Sequence, residues 1–162
     1  MAEIGQLRVT AYRAGQHLSE HSEYETRLRE LGADGVGDVL VAVLPSPPGS
    51  DRLDGTIAGT VMLQPWPHAG QVVAGPSEAE IRALAVAPEA QGAGVGSALL
   101  QAIIERATAN GVGRLVLLTQ ANMLAAQRLY QRSGFRRLTD RDWSPAQGLT
   151  LLAYGMRLSA SS

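Results

Sequence analysis

A glycine-rich loop between a predicted strand and a predicted helix constrains this chain more than any other feature. The segment Gln91–Gly96, read Q-G-A-G-V-G, follows an apolar run that Pro88 stops, and it precedes apolar residues at helical spacing. Its glycines leave the backbone unshielded, so successive N–H groups can point at one anion while the helix N-terminus adds its positive end. The loop therefore predicts a phosphate or pyrophosphate site.

Three kinds of phosphate loop compete for this pattern. A P-loop needs a lysine before its Ser or Thr, whereas Gly96 directly precedes Ser97 and the chain has no lysine at all. A dinucleotide fingerprint needs a glycine or alanine where Ser97 stands, and the next strand, ending at Gln120, lacks an acidic residue for the ribose. The pattern Q/R-x-x-G-x-G/A of acyl-CoA transferases is met in full by Gln91, Gly94 and Gly96. A plain tight turn would need only one or two glycines.

Hydrophobic periodicity and turn residues predict the other elements of the chain. Two runs, Asp38–Leu44 and Arg114–Thr119, read as buried strands, and Asn122 and Gly134 read as the cap and the left-handed terminator of one helix. In chain order we expect a strand at Gln6–Arg13, a helix at Ser22–Leu31, hairpin strands at Asp38–Leu44 and Gly55–Gln64, a strand at Glu80–Val86, a helix at Ser97–Asn110, a strand at Arg114–Thr119, a helix at Asn122–Ser133, and closing strands at Phe135–Thr139 and Thr150–Leu158. This order predicts a single α/β domain in which helices flank a mixed central sheet.

Composition excludes several classes of function. With a net charge of −1 over 162 residues and no basic stripe, the chain is not expected to bind nucleic acid or a membrane surface. The absence of cysteine excludes disulfides, cysteine–zinc sites and a cysteine-acylated intermediate. His17, His21 and His68 lack metal-ligand spacing, so no metal is expected. Met1–Thr10 does not read as a secretory signal, which predicts a cytoplasmic protein, and the richness in Ala, Gly and Arg indicates a bacterial source.

Residues from about Glu80 to Phe135 resemble the core of the GNAT superfamily of N-acetyltransferases. The strand E-I-R-A-L-A-V-x-P, the loop Q-G-A-G-V-G, the helix start S-A-L-L and the later pattern N-x-x-x-A-x-x-x-Y-x-x-x-G-F stand in the order that this family shows. The resemblance implies one domain over residues 1–162. Its acceptor-side half would span about 1–77 and its acyl-CoA-binding core about 78–158, and the first half is not diagnostic of a substrate.

The same resemblance implies the transfer of an acetyl group from acetyl-CoA, as cosubstrate, to a primary amine by direct attack in a ternary complex. The backbone of Leu84, Ala85 and Val86 would pair with the pantetheine arm, and the Val86 N–H would polarise the thioester carbonyl. Asn122 would contact the cofactor near the start of its helix. The pyrophosphate would lie on Gln91, Gly92, Ala93, Gly94, Val95, Gly96 and Ser97.

Tyr130 and Glu80 are the candidate catalytic residues. In the family that the chain resembles, a Tyr at position 130 protonates the departing thiolate, and a phenol of pKa about 10 can serve a thiolate of about 8–9. Glu80 could take the proton of the amine, directly or through water, because an ammonium of pKa about 10.4 is not nucleophilic. Packing against Phe135 is the alternative for Tyr130, and a solvated charge is the alternative for Glu80. Arg82 could pair with Glu80 or bind an acidic acceptor.

Other classes of function remain open from the sequence. A non-catalytic domain that senses acyl-CoA is the main alternative, and a nucleotide-binding oxidoreductase is disfavoured by Ser97 and the missing ribose acid. The acceptor is expected to be a small-molecule or peptide amine of undetermined identity. The resemblance also makes a homodimer possible.

Overall fold

The computed structural model describes residues 1–15, 23–45, 48–49 and 55–159. Within them the chain forms four helices and seven strands. The helices are α1 (Ala2–Ala14), α2 (Glu23–Glu30), α3 (Val95–Ala109) and α4 (Leu124–Arg132). The strands are β1 (Asp38–Leu44), β2 (Thr56–Pro65), β3 (Glu78–Val86), β4 (Arg114–Gln120), β5 (Arg136–Arg137), β6 (Trp143–Ala146) and β7 (Leu149–Arg157).

All seven strands belong to one sheet of order β1-β2-β3-β4-β7-β5, with β6 paired to β7. Strand β3 runs parallel to β4, and the remaining pairs are antiparallel. The predicted α/β class with a mixed central sheet is therefore confirmed.

Helix α3 supplies the largest helical contribution to the core. Leu99, Leu100, Ile103 and Ala107 are at most 3% exposed and pack with buried residues of β2, β3 and β4. Their spacing is the one expected of a helix that buries one face. The predicted helix is confirmed, although it begins two residues earlier than expected, inside the glycine-rich loop.

The prediction of a first strand at Gln6–Arg13 is wrong, because these residues lie in helix α1. The alternation of Leu7, Val9 and Ala11 required Arg8 to face solvent, but Arg8 is fully buried. Its Nη1 donates hydrogen bonds to the carbonyl oxygens of Leu28 (3.2 Å) and Leu31 (2.7 Å), at the C-terminal end of α2. A helix end leaves such carbonyls unpaired, so a buried Arg can satisfy them.

Strand β1 has the predicted bounds but not the predicted burial. It is an edge strand, and Val41, Val43 and Leu44 are 41%, 50% and 40% exposed. An apolar run predicts a strand but does not show whether that strand lies in the middle of a sheet or at its edge. The shielding of this run was therefore overestimated.

The prediction of Asn122 as a helix cap is also wrong. Helix α4 begins at Leu124 with Met123 at its cap position, and no side chain caps it. A turn closed by the hydrogen bond from Met123 N–H to the Gln120 carbonyl (3.0 Å) occupies residues 120–123 and delays the helix. The amide of Gln127 donates to the carbonyls of Gln120 and Ala121, which secures this turn.

The end of α4 follows the prediction. Gly134 is left-handed, with φ 99°, and its N–H and that of Phe135 donate back to the carbonyls of Gln131 and Tyr130. The ring of Phe135 packs 5.9 Å from that of Tyr130. Downstream, the strand expected at Phe135–Thr139 is reduced to β5, and β6 was not predicted because Pro145 interrupts a segment without alternation.

Candidate active site

The sheet opens between its two parallel strands. Strands β3 and β4 pair only through Glu78–Glu80 and Arg114–Val116, whereas β4 pairs with β7 along its whole length. Beyond Glu80 the two parallel strands separate toward their carboxyl ends. The gap leaves one edge of β3 without a neighbouring strand, and such an edge offers backbone donors and acceptors to an extended ligand.

A bulge in β3 lies at the start of this gap. Thr60 pairs with Ala85 and Met62 with Arg82, so β3 carries one more residue than β2 between these pairs. Within the extra segment Ala83 has φ 51°, a left-handed conformation that costs an L-residue about 1–2 kcal/mol. Bulges bend a strand and re-aim the residues that follow, and they are frequent beside active sites.

The backbone of Val86 faces the gap. The N–H of Ala87 donates to the carbonyl of Ala58 on β2 at 2.7 Å, and Val86 lies opposite Gly59. Because successive N–H groups of an extended chain point to opposite edges, the N–H of Val86 points away from β2.

The glycine-rich loop ends at the start of α3. Gly92 and Gly94 are left-handed, with φ 83° and 81°, and Gly94 occupies the cap position of α3. No side chain caps this end and its first turn holds no acidic residue. The N–H groups of the first turn are therefore available to an anion, and the dipole of a 15-residue helix favours one.

Gly96 serves a different purpose, because it allows α3 and α4 to approach. A Cβ at Gly96 would stand 3.1 Å from Cδ2 of Leu129 on α4. The contact brings the face of α4 that carries Leu129 against the loop and forms the second wall of the site.

These elements surround one cleft of about 710 Å³. It collects the predicted cofactor residues apart from Ala93: Leu84, Ala85, Val86, Gln91, Gly92, Gly94, Val95, Gly96, Ser97 and Asn122. Ala126, the alanine of the pattern N-x-x-x-A-x-x-x-Y, also lines it, as do residues that the sequence did not single out for this site, namely Ala11, Tyr12, Gly15, Ala90, Met123, Leu124, Ala125, Leu129 and Arg132. The spacing of 125, 129 and 132 marks one helical face and could have predicted these α4 residues. The α1 residues could not be found while that segment was read as a strand.

Neither candidate catalytic residue belongs to the lining of the cleft. Tyr130 is 6% exposed, and its ring packs about equally close to Phe135 (5.9 Å) and Tyr154 (6.0 Å). Burial raises its pKa above the ordinary phenol value. The nearby charge of a Tyr130 phenolate is one of the effects that raise the pKa of Tyr12, which does line the cleft.

Glu80 is a buried carboxylate, 5% exposed. One oxygen accepts the N–H of Gly70 at 2.7 Å, and the other lies 3.8 Å from Nε of Arg82. Burial raises the pKa of Glu80, and the opposing effects of Arg82 and the Gly70 N–H do not cancel that rise. It is therefore not the solvated strand-end charge that was the alternative interpretation.

Tyr24, on α2, completes this cluster. The rings of Tyr12 and Tyr24 lie 6.3 Å apart at 39°. Burial raises the pKa of Tyr24, against the opposing influence of Arg82. The two tyrosines, Glu80 and Arg82 thus form one group beside the cleft.

The comparison with known proteins decides the family. A model of the acetyltransferase (GNAT) family matches residues 11–135. The chain belongs to the GNAT family of acetyltransferases. No protein of curated function matches the sequence.

Solved structures share the fold of this GNAT chain. A GNAT-family acetyltransferase from Staphylococcus aureus Mu50 superposes with a TM-score of 0.71 at 16% identity, over 97% of this chain and 92% of that one. The putative acetyltransferase yncA from Salmonella typhimurium, solved with its cofactor acetyl-CoA, gives 0.65 at 19% identity, over 99% and 91%. The ribosomal-protein-S18-alanine N-acetyltransferase of Escherichia coli gives 0.59 at 23%, over 96% and 90%.

Two further findings concern the described residues alone. The described residues contain no helix with the length and apolar character needed to cross a membrane. Nor do they contain a group of three or more His, Asp or Glu arranged to hold a metal ion. His17 and His21 lie outside the described residues.

Proposed function

We propose that this protein is an N-acetyltransferase that moves an acetyl group from acetyl-CoA to a primary amine by direct attack in a ternary complex. The observation that carries the proposal is the gap between β3 and β4, which runs into the uncapped start of α3. An extended arm with a pyrophosphate at its end fits this combination of an open strand edge and an anion site.

The binding of acetyl-CoA is divided among three parts of the cleft. The pyrophosphate lies on Gln91–Ser97, where backbone N–H groups face it, and Asn122 stands across the cleft. The pantetheine arm pairs with the backbone of Leu84–Val86. Arg132 is the one charged residue among the described residues that line the cleft, and it supplies an ionic contact to a cofactor phosphate.

The reaction follows from the groups around the gap. The amine nitrogen attacks the thioester carbonyl, whose oxygen accepts a hydrogen bond from the Val86 N–H as negative charge develops on it. Glu80 takes the proton that the amine loses, through water because the carboxylate is buried. The C–S bond then breaks, and the sulfur receives a proton from the Tyr130 hydroxyl.

The two halves of the domain divide these tasks. Residues 78–158 carry the cofactor strand, the loop and α4, and form the acyl-CoA-binding core. Residues of about 1–77 contribute Tyr12 and Tyr24, which stand on the acceptor side of Glu80.

One observation favours a second function, the binding of acyl-CoA without turnover. Neither Glu80 nor Tyr130 lines the cleft. A sensor domain would keep the cofactor site and would not need a reactive contact from either residue.

Two measurements on the same protein separate these functions. Acetyl-CoA at a hundredfold excess over its dissociation constant should stabilise the fold by about 2.7 kcal/mol, while NAD should give no shift in Tm. Thiol release is then followed over a library of amines. Absence of a shift with millimolar acetyl-CoA contradicts both functions, and a shift without thiol release from any amine assigns the chain as a sensor.

A further inference from the structure

We propose that the acceptor carries a carboxylate beside its amine, as an α-amino acid with a large apolar side chain does, and that Arg82 binds this carboxylate. The inference rests on the proposed acetyl transfer and names the class of its acceptor. It comes from the cluster formed by Tyr12, which lines the cleft, and by Tyr24, Glu80 and Arg82 beside it.

The first step is the pair of opposite charges on β3. Glu80 and Arg82 share one strand face, with Nε and Oε1 3.8 Å apart, too far for a hydrogen bond. The carboxylate side chain is 7% exposed and the guanidinium side chain 37% exposed, so the cation is the more accessible of the two. An amino acid presents the complementary pair, because one carbon separates its amine from its carboxylate.

The second step is the pair of cationic side chains in this region. Arg8 stands one helical turn before Tyr12 on α1. Its Nη1 donates only to backbone carbonyls, and its Nε and Nη2 are buried without a hydrogen-bond partner among the described residues. Positive charge on Arg8 and Arg82 favours an acceptor that brings a negative group over a polyamine.

The third step is the shape of the cluster. Tyr12 lines the cleft, and the ring of Tyr24 stands 6.3 Å from it with 43% of the residue exposed. Two tilted rings offer an apolar wall on which a flat or bulky side chain packs. The amine then faces Glu80 and the carboxylate faces Arg82, whose Nη1 is already oriented by Gln64 at 3.3 Å.

The test uses phenylalanine, phenylalaninamide and phenethylamine, which share the ring and the amine but differ in the carboxylate. We expect Arg82→Gln to lower kcat/KM for phenylalanine about 10–100-fold, as for the loss of one charged hydrogen bond. The other two acceptors should lose clearly less, because for them the substitution removes only the effect of Arg82 on Glu80. Each acceptor is compared with itself across the two proteins, so differences in amine basicity cancel.

Control variants make the result specific. Arg136→Gln removes an exposed charge from β5, outside the cleft, and should leave all three acceptors unchanged. Arg82→Lys keeps the charge and should recover part of the phenylalanine activity.

Two outcomes overturn the proposal. An equal loss for all three acceptors would show that Arg82 only positions or tunes Glu80. A kcat/KM for phenethylamine at least as high as that for phenylalanine in the unaltered protein, with each value corrected for the fraction of unprotonated amine, would exclude carboxylate recognition. Both outcomes leave acetyl transfer intact, whereas an absence of thiol release from every amine contradicts the proposed function itself.

Discussion

The carboxylate of Glu80 accepts a 2.7 Å hydrogen bond from the backbone N–H of Gly70. A Cβ at Gly70 would stand 3.0 Å from Oε2, so the loop between β2 and β3 closes tightly over the carboxylate. The contact fixes the position of Glu80 and removes it from bulk water. Desolvation is therefore the main reason that its pKa rises above the usual value of 4.5.

This burial leads to a prediction about pH. A general base works only when deprotonated, so kcat/KM should rise as pH increases through the pKa of Glu80, at a pH above 4.5. Glu80→Gln should remove this rise and lower kcat/KM by about 10²–10⁴-fold. The profile is measured with one acceptor in both proteins, because the ionisation of the acceptor amine remains in the variant. An unchanged profile in Glu80→Gln would assign the base to another group.

The loop can be tested with two glycines at opposite ends of α3. Gly94 and Gly111 have similar left-handed φ values, 81° and 77°, and a Cβ at either would meet no atom within 4 Å. Each substitution by alanine should therefore destabilise the fold by about 1–2 kcal/mol. Only Gly94→Ala places a methyl group in the cleft, and it should weaken acetyl-CoA binding at least about tenfold, by about 1.4 kcal/mol. Equal affinities for acetyl-CoA in the two variants would show that the loop is only a turn and does not bind the cofactor.

Arg132 provides a prediction on the cofactor itself. It lines the cleft about one helical turn beyond Leu129, which contacts the loop, and we therefore expect it to bind the 3′-phosphate of the cofactor and not the pyrophosphate. Arg132→Gln should raise KM for acetyl-CoA about 3–10-fold, as expected for an exposed ion pair, and leave KM for acetyl-dephospho-CoA unchanged. Arg128, on the same helix but outside the cleft, is the control. An equal rise in KM for both cofactors would show that Arg132 contacts the pyrophosphate and not the 3′-phosphate.

The far end of β3 yields a prediction on stability. Arg141 pairs with Glu78 through two bonds of 2.8 and 3.0 Å, and Ala74 N–H donates to the same carboxylate. Burial alone would raise the pKa of Glu78, but Arg141, the Ala74 N–H and Arg114 together outweigh burial and the pKa is lowered. A carboxylate whose pKa is lower in the folded state than in the unfolded state stabilises the fold at a pH above its unfolded-state pKa. This stabilisation is lost as the pH falls through its folded-state pKa.

Glu78→Gln should therefore lower the free energy of unfolding by about 1.5–3 kcal/mol at pH 7. Urea titrations measure the difference at pH 7 and again in acid, where it should shrink. Glu105→Gln, on the exposed face of α3, should change little at either pH. A difference that persists undiminished in acid would show that packing, and not the ion pair, accounts for the loss.

The sequence predicted those parts of the fold that local chemistry determines. Glycines with positive φ at 94, 111 and 134 mark helix ends, and the spacing of Leu99, Ile103 and Ala107 identifies the buried face of α3. Helix α1 was missed because a fully buried Arg8 breaks the rule that charged residues face solvent. That exception depends on the carbonyls of α2, which are distant in sequence.

The part of the candidate site formed by one continuous loop was predictable from the sequence. The parts that come from elements distant in the sequence were not. Gln91, Gly92 and Gly94 line the cleft, and their contact with the cofactor stays a prediction. The bulge was not predictable, because Ala83 carries no local indication of a left-handed φ. Tyr12 enters the cleft only because α1 lies over β3.

A catalytic role and a packing role for Tyr130 predict opposite effects of removing its hydroxyl. Its ring packs on Phe135 and Tyr154, and Tyr130→Phe retains that packing because only the hydroxyl is lost. If the hydroxyl protonates the thiolate, turnover should fall by about one to three orders of magnitude, with the acetyl-CoA affinity nearly unchanged. Tyr154→Phe is the matched control, because the Tyr154 hydroxyl bonds to Gln127 at 3.1 Å and is not in the cleft. That variant should lose about 1 kcal/mol of stability and keep its turnover. Thiol release at saturating acetyl-CoA decides between the roles, and full turnover in Tyr130→Phe would leave water or another residue as the acid.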